Sequence, residues 1–594
     1  MDDKISPELK LAMDADGYMP YSSLYLGYNA SDDSWMLIIR HSGDIDDLEG
    51  DILNSCVYLL GGYAIVNVYS YNIKRLQEEP RVLYIDKAQY YSYGAGVAYD
   101  RYISCITENF MSKYGLTGEG VCIGIIDSGV NILNREFADD AGSRIVMYWN
   151  QNTDYERTYP NRYGLGRIYD QSEIGQMYED RRLPGVMGEQ HGTEVASVAA
   201  GSNIGVAGKA RIIVVEQSLE RALPDTIGIM MGIDLLVRYS METGTPVVIN
   251  LSYGNNFGAH DGTSTLELFV NSVAQMAKVC VVTGSGNDGG RQLHTSGMLG
   301  NVSYASIDIA VAAGVKNFGL QIWKNYIDSF DVLVYSPSYD LVAYLTEGQI
   351  VSGAYYGSTE LLGIFQGPSP YNVKQLIYVF FQSETGDIEQ GIWHVRIAPK
   401  SIANGIFNAY LPGDSYVTGQ VAFENPSVYG TLTIPGTASN IITVAAYDQV
   451  NASITGFSGR GFTSDNAIKP DIAAPGVGVT VSYGEYGYGN ADGTSLAAAF
   501  VSGCAALIME WGIVLGNDPF MYGERVKAQL IRGAKPLGSL GSYPNRYTGW
   551  GENVIIRSHG RKSVKSSVSV HFPNTETKHF FHNFEENLPG LDAK

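Results

Sequence analysis

Residues 121–130 read VCIGIIDSGV. An unbroken apolar run ends on Asp127, and Ser128 and Gly129 follow as turn formers. Strands buried on both faces read as continuous apolar runs, whereas half-buried strands alternate. The same signature recurs in RIIVVEQ (211–217), PVVINLSYG (246–254), VCVVTGSG (279–286) and IITVAAYD (441–448), with helical stretches between. This rhythm predicts an α/β fold built on a doubly wound, mostly parallel sheet covered on both faces. Ligands of such sheets bind at the C-terminal strand edge, where Asp127 would emerge. By itself, Asp-Ser-Gly is an ordinary turn after a strand.

Outside this rhythm the chain changes character twice. Residues 34–88 alternate short strand and helix signals, SWMLIIRH, DIDDLEGDILNSC, YAIVNVYS, NIKRLQEE and RVLYID, the pattern of a small ferredoxin-like unit. From 291 to 430, strands such as LQIWKNY, DVLVYS, LIYVFFQ and GIWHVRIA follow one another without a clear amphipathic helix, which predicts an inserted β-sandwich. The expected organisation is therefore an N-terminal domain at 1–93, an α/β domain in two parts at 94–290 and 431–560, the insert at 291–430, and a polar tail at 561–594.

Composition narrows the function classes. The 594 residues carry 62 acidic against 40 basic side chains, a net charge of -22, which disfavours nucleic acid and anionic membranes as partners. Cysteines at 56, 105, 122, 280 and 504 are odd in number and form no CxxC pair, as expected of buried thiols in a reducing compartment. The N-terminal stretch MDDKISPELKLAMDADGYMP shows no secretory signal or membrane anchor, so a cytoplasmic setting is expected. His571, His579 and His582 lack the cysteine or carboxylate support of a metal site, and none is expected there.

Chemistry concentrates in three further places. His191 opens GEQHGTEVASVAAGS, where small residues at helical spacing would hold the imidazole at a helix start. TSLAAAFVSGCAALIMEWG (494–512) is apolar nearly all round, the mark of a buried central helix. Ser495 falls in its first turn, where unpaired amides favour developing negative charge. Asn287 follows a buried strand in a Gly-rich turn, and its amide is a candidate oxyanion donor. A serine needs a base and an oriented tautomer of that base to attack a carbonyl, and His191 and Asp127 are the suitable partners. Singly, each residue has a bland alternative as a turn former or packed side chain. Jointly they suggest nucleophilic acyl transfer.

The motifs IDSGV, HGTEVAS, LSYG (251–254), GSGND and GTSLA resemble, in this order, those of the subtilisin-like serine proteases, the subtilases. By that resemblance Asp127 orients His191, His191 is general base and then acid, Ser495 is nucleophile, and Asn287 with the Ser495 amide forms the oxyanion hole. Leu251, Ser252, Tyr253 and Gly254, with Gly284, Ser285 and Gly286, are implied to bind substrate backbone and line its specificity pocket. The resemblance further implies a protein or peptide substrate, with the N-terminal domain as propeptide, intramolecular substrate and inhibitor. Leu496 replaces the family's usual methionine, a nearly volume-conserving change. Calcium is common in the family, but no loop here supplies a nameable ligand set. The long insert, the propeptide-like domain and the absent signal are similar to the clostridial Csp germination proteases, which carry a jelly-roll insert. That likeness implies a spore-associated role in activating a cortex-hydrolase zymogen, or, as the alternative, a catalytically silent regulator. A carbohydrate-binding role for the sandwich is disfavoured because tyrosine is abundant along the whole chain.

Overall fold

The computed structural model describes residues 4–15, 23–93, 115–153, 159–185, 190–217, 224–276, 278–300, 302–367, 372–384, 386–413, 420–538 and 541–552. Cys105, most of the linker after Tyr93 and the polar tail with its three histidines lie outside these residues.

The apolar runs form one sheet. Its parallel strands are ordered Ile145–Asn150, Arg211–Glu216, Cys122–Asp127, Val247–Leu251, Val279–Gly284, Ile442–Asp448 and Ile472–Pro475. Arg167–Asp170 and Ser453–Ile454 add antiparallel to it. Side chains alternate across the sheet as the two-residue period requires. Ile123, Ile125, Val214 and Val282 pack with helices His191–Ala200 and Thr494–Met509 on one face. Cys122, Ile126, Val215 and Val281 pack with Thr226–Thr243 and Thr265–Val273 on the other. Thr494–Met509 and the turn after it are apolar enough to span a membrane, yet this stretch is 83% buried in the fold and serves as its core helix. Cys122, Cys280 and Cys504 are buried, and burial pushes the Cys280 thiol up to about 12.

The N-terminal unit has the ferredoxin-like strand order Val82–Lys87, Ser34–His41, Tyr63–Tyr69, Ser55–Leu59, all antiparallel. One expectation is corrected here. DIDDLEGDILNSC forms only a short 3-10 turn, Asp46–Leu48, rather than a helix. Gly50 takes a left-handed φ of 85°, and the Asp46 amide donates to the Asp44 carboxylate, so local turns displace helical bonds. Ile73 and Leu76 of the helix Ile73–Glu78, and Leu9, Leu11 and Ala12 of Pro7–Asp14, a helix the periodic pattern did not reveal, share one apolar cluster with Leu37, Ile39, Val66 and Val68 of the sheet.

The insert is a sandwich of a six-stranded and a five-stranded antiparallel sheet around Ile309, Val332, Phe381, Trp393 and Val395. It leaves and returns at one place: the Phe423 amide donates to Gln292 O at 2.9 Å and the Ser427 amide to His294 O at 2.8 Å. The run LIYVFFQ is buried throughout because it has two partners. Ile377, Val379 and Phe381 face the sandwich core, while Leu376, Tyr378 and Phe380 face the N-terminal unit. That unit is thus a middle layer. Its other face, with Ile38, Tyr63 and Ile65, lies on the α/β domain, and Tyr63 meets Phe269 edge-on at 5.4 Å.

A buried polar node ties the three units together. Gln321 of the sandwich donates through Nε2 to Glu8 at 3.0 Å and accepts from the Gly258 amide at 2.9 Å. Asp86 accepts from the Thr265 hydroxyl, and Lys87 Nζ donates to the Ser23 and Ala88 carbonyls at 3.0 Å. Burial, then the neighbouring Asp86, raises the Glu8 carboxyl from 4.5 to about 7. Burial lowers Lys87 from 10.5 to about 8 and raises Asp86. Between pH 4.5 and about 7 the folded chain keeps a proton on Glu8 that the unfolded chain has lost, so stability falls as pH rises through that window. Glu8→Gln should flatten the fall in melting temperature over this window and melt higher than wild type near pH 7.5. An unchanged slope in a pH series of thermal melts would remove Glu8 from the node.

Candidate active site

Asp127 ends its strand at the C-terminal sheet edge, fully buried, with Oδ1 accepting the Ser128 amide at 2.7 Å. The same Oδ1 lies 2.8 Å from His191 Nδ1, and His191 Nε2 lies 3.1 Å from Ser495 Oγ. A carboxylate at Nδ1 selects the tautomer with its proton there, which leaves Nε2 to accept from the serine hydroxyl. His191 is the first residue of its helix and is held by the close seating of the next two residues. A Cβ at position 192 would stand 2.2 Å from Gly129 O and 3.1 Å from Asp127 Cβ, so only glycine lets the helix start abut the aspartate turn. The Gly192 amide donates to Ser128 Oγ at 3.1 Å, and the Asn131 amide donates to Thr193 Oγ1 at 3.0 Å. Glu194, one turn on, has its carboxyl raised by burial.

Ser495 sits in the first turn of Thr494–Met509, 2% exposed. Its neighbour Thr494 carries a role that sequence inspection missed. The Thr494 amide and hydroxyl both donate to Asn287 Oδ1, at 3.0 and 2.9 Å. With the oxygen so engaged, the carboxamide orientation is fixed and its NH2 is the end able to serve an oxyanion. The signal was a second hydroxyl directly before the nucleophile in GTSLA. Gly284 makes room for it: a Cβ there would meet Thr494 Oγ1 at 2.7 Å.

The seven expected substrate-binding residues divide into two groups. Tyr253 and Gly254 lie on an extended edge, paired antiparallel with Tyr93 and Ser92 of the N-terminal unit. Leu251 is buried, and Ser252 donates to Asn250 Oδ1 at 2.7 Å. Ser285 Oγ is 3.1 Å from Ser458 Oγ, and a Cβ on Gly286 would meet Thr433 at 2.5 Å. The turn at 284–286 is thus packed against the protein's own Thr494, Ser458 and Thr433.

The segment that leaves the N-terminal unit threads between two backbone rails. The Tyr91 amide donates to Pro224 O at 2.8 Å and the Thr226 amide to Gln89 O at 3.0 Å, while Asn255 Nδ2 donates to Tyr90 O at 2.8 Å on the other side. Tyr91 is 1% exposed, its ring seated among the apolar side chains of the Thr226–Thr243 and Thr265–Val273 helices. Burial, and then Glu267, drives its hydroxyl far above the ordinary tyrosine range.

Among the described residues no group of three or more His, Cys, Asp or Glu side chains converges as a metal site. The buried Glu136 carboxylate is already engaged by the Asn203 and Ile204 amides, Asn203 Nδ2 and the Tyr488 hydroxyl. The Arg144 guanidinium donates to the nearby carbonyls of Glu136, Ala200 and Ala210.

Comparison with known proteins matches residues 118–321 and 423–551 to the Subtilase family and residues 3–89 to the Csp protease B prodomain. Among solved structures, the Clostridium perfringens CspB protease is 30% identical, with a TM-score of 0.68, covering 75% of this chain and 96% of its own. The minor extracellular protease Vpr of Bacillus subtilis is 24% identical over 480 residues, 77% of this chain and 54% of Vpr. Subtilisin-like protease 5 of Trichophyton tonsurans is 26% identical over 253 residues, 42% of this chain and 52% of its own. The chain spans about half the length of these last two relatives.

The Asn287–Thr494 pair is open to test with a peptide anilide. If its NH2 serves the oxyanion, Asn287→Ala should lower kcat by roughly 10² to 10³, the loss known for an oxyanion donor in subtilisin. Thr494→Val keeps the backbone donor and should cost roughly 10-fold in kcat at unchanged KM. A KM change alone would assign Thr494 to substrate binding.

Proposed function

The chain belongs to the subtilase family and carries a Csp-type prodomain, and from that premise we propose that it is an active serine endopeptidase that cuts its own N-terminal unit from the rest. The observation that carries this reading is the unbroken hydrogen-bonded line from Asp127 through His191 to Ser495. The Ser495 oxygen attacks the scissile carbonyl while its proton passes to His191 Nε2. The carbonyl oxygen becomes an oxyanion, stabilised by the Asn287 NH2 and the Ser495 amide at the positive end of the helix. His191 then returns the proton to the leaving amine, and the acyl-enzyme is released by water through the same steps reversed. Asp127, buried beside the ring, stabilises the imidazolium that forms between them.

Self-processing is supported by the segment from Gln89 to Tyr93, which ends in the short strand Ser92–Tyr93. Antiparallel pairing of Ser92 and Tyr93 with Tyr253–Gly254 is how an extended peptide adds to a sheet edge. Tethering makes the first cut intramolecular. After that cut the N-terminal unit still holds the edge that a second substrate needs, so it acts as inhibitor as well.

The likeness to the CspB protease, over 96% of that chain at 30% identity, supports a finer assignment. We assign the protein a spore-associated or cytoplasmic setting and, as target, the zymogen of a cortex-degrading hydrolase. The line of three side chains in hydrogen-bond reach favours this over a catalytically silent regulator.

A fluorophosphonate probe separates the two. Wild-type protein should be labelled at Ser495, and Ser495→Ala and His191→Ala should not. Intact-mass analysis of fresh wild-type protein should show a fragment of roughly 90 to 100 residues, still associated with the remainder, whereas Ser495→Ala stays one chain. Wild-type protein that hydrolyses peptides but remains whole would end the self-processing claim and leave the peptidase claim standing.

A further inference from the structure

The six-stranded sheet of the sandwich spends its outer face on the N-terminal unit. The outer face of the five-stranded sheet has a different make-up: it collects aromatic rings that lie scattered in sequence. Register places Tyr335 beside His394 and His394 beside Asp308 across three strands, with Leu333, Arg396 and Ser306 in the next outward row. Around this grid stand Tyr304, Tyr339 and Tyr344, exposed to 47%, 60% and 46%.

These rings are held in place before any ligand arrives. Tyr339 stacks on His394 with centroids 4.1 Å apart and planes 15° from parallel, and His394 Nδ1 lies 2.7 Å from Asp308 Oδ1. The Arg396 guanidinium sits between two rings, 4.8 Å from Tyr304 and 4.7 Å from Tyr335. The Tyr344 hydroxyl donates to Asp331, which also pairs with Lys400. Tyr339 has a left-handed φ of 66°, where a bulky residue is strained and glycine or asparagine would be at ease. The turn holds it there, with the Tyr339 amide donating to Ser336 O at 2.9 Å and the Asp340 amide to Ser336 Oγ at 3.1 Å. Strain of this kind persists where the side chain's position matters.

We propose that this face binds a neutral β-linked hexopyranose chain. A pyranose has two apolar C–H faces and a rim of hydroxyls. Rigid tyrosine rings offer apolar contact at low entropic cost, and Asp308, Arg396 and the tyrosine hydroxyls supply hydrogen-bond donors and acceptors between them. The charges on this face are matched in place, Lys400 with Asp331 and Arg396 with its two rings, and the chain as a whole is strongly acidic. Both features disfavour a polyanion. An aliphatic partner would leave the hydrogen-bonding groups between the rings unsatisfied.

The test is calorimetric titration of the full-length Ser495→Ala protein with cellohexaose and with chitohexaose, so that the outcome does not depend on proteolysis. At least one should bind with a Kd of roughly 10 μM to 1 mM. Tyr339→Ala and Arg396→Ala, with unchanged melting curves, should each weaken that binding roughly 10-fold or more. Tyr71→Ala, at an exposed stacked tyrosine of the N-terminal unit, should not. Absence of binding by both hexamers at 10-fold the upper value, or equal weakening by Tyr71→Ala, overturns the proposal. So does a slower cut of a folded protein substrate by an otherwise wild-type Tyr339→Ala chain when neither sugar binds, which would make the face a protein-docking surface.

Discussion

The close approach of two helices governs the active edge of this protein. A Cβ at Gly503 would fall 2.5 Å from Val206 Cβ and 2.8 Å from Ala199 O. Together with alanines at 497, 498, 499, 505 and 506, that glycine lets Thr494–Met509 settle against His191–Ala200 and the sheet at interior density. The 3.1 Å separation of His191 Nε2 and Ser495 Oγ depends on it, because each residue lies at the start of its own helix. A methyl group wedged between the helices would be transmitted to the helix starts, where a displacement of an ångström is costly to catalysis. The size limit at 503 and the hydrogen bond between 191 and 495 are thus one constraint, seen along the helix contact and again at the two helix starts.

What holds the N-terminal unit is apolar burial rather than charge. Its sheet loses water from both faces, to the α/β domain through Ile38, Tyr63 and Ile65 and, around Pro7–Asp14, to the sandwich through Leu362, Leu376 and Phe380. Each fully buried side chain of this size contributes about 1.5 to 3 kcal/mol. The exposed ion pairs of the unit, Arg75 with Asp51 and Arg81 with Asp47, contribute little by comparison. Glu8, Asp86 and Lys87 oppose docking through the cost of their own desolvation. They give the junction its geometry, with Gln321 reaching both neighbours, and leave the free energy to the apolar layers.

The parallel sheet was readable because strands covered on both faces cannot hide: VCIGIID and VCVVTG have no polar position until the edge where the chemistry sits. The serine helix was readable for the same reason. The N-terminal unit was read in its strands and in the helix Ile73–Glu78 but not at DIDDLEGDILNSC, where Gly50 and the Asp44 side chain turn the chain instead, nor in Pro7–Asp14. Thr494 was invisible as an orienting group because its partner lies 207 positions away. The tyrosines of the insert looked unremarkable in composition, since only strand register decides which of them share a face.

The sandwich interrupts the chain between two strands that must lie side by side, Val279–Gly284 and Ile442–Asp448. Had that insert remained an open coil during assembly, closing so long a loop would oppose their pairing. Its ends, however, are clasped where Phe423 bonds to Gln292 and Ser427 to His294. A sandwich that folds first presents the rest of the chain with an effective loop of roughly two dozen residues, which lowers the closure cost by roughly 1.5 kcal/mol. In folding terms, an insert that forms first is a prefabricated hinge pin: it would keep the half of the chain that brings the nucleophile near its destination before the nucleophile has anything to meet.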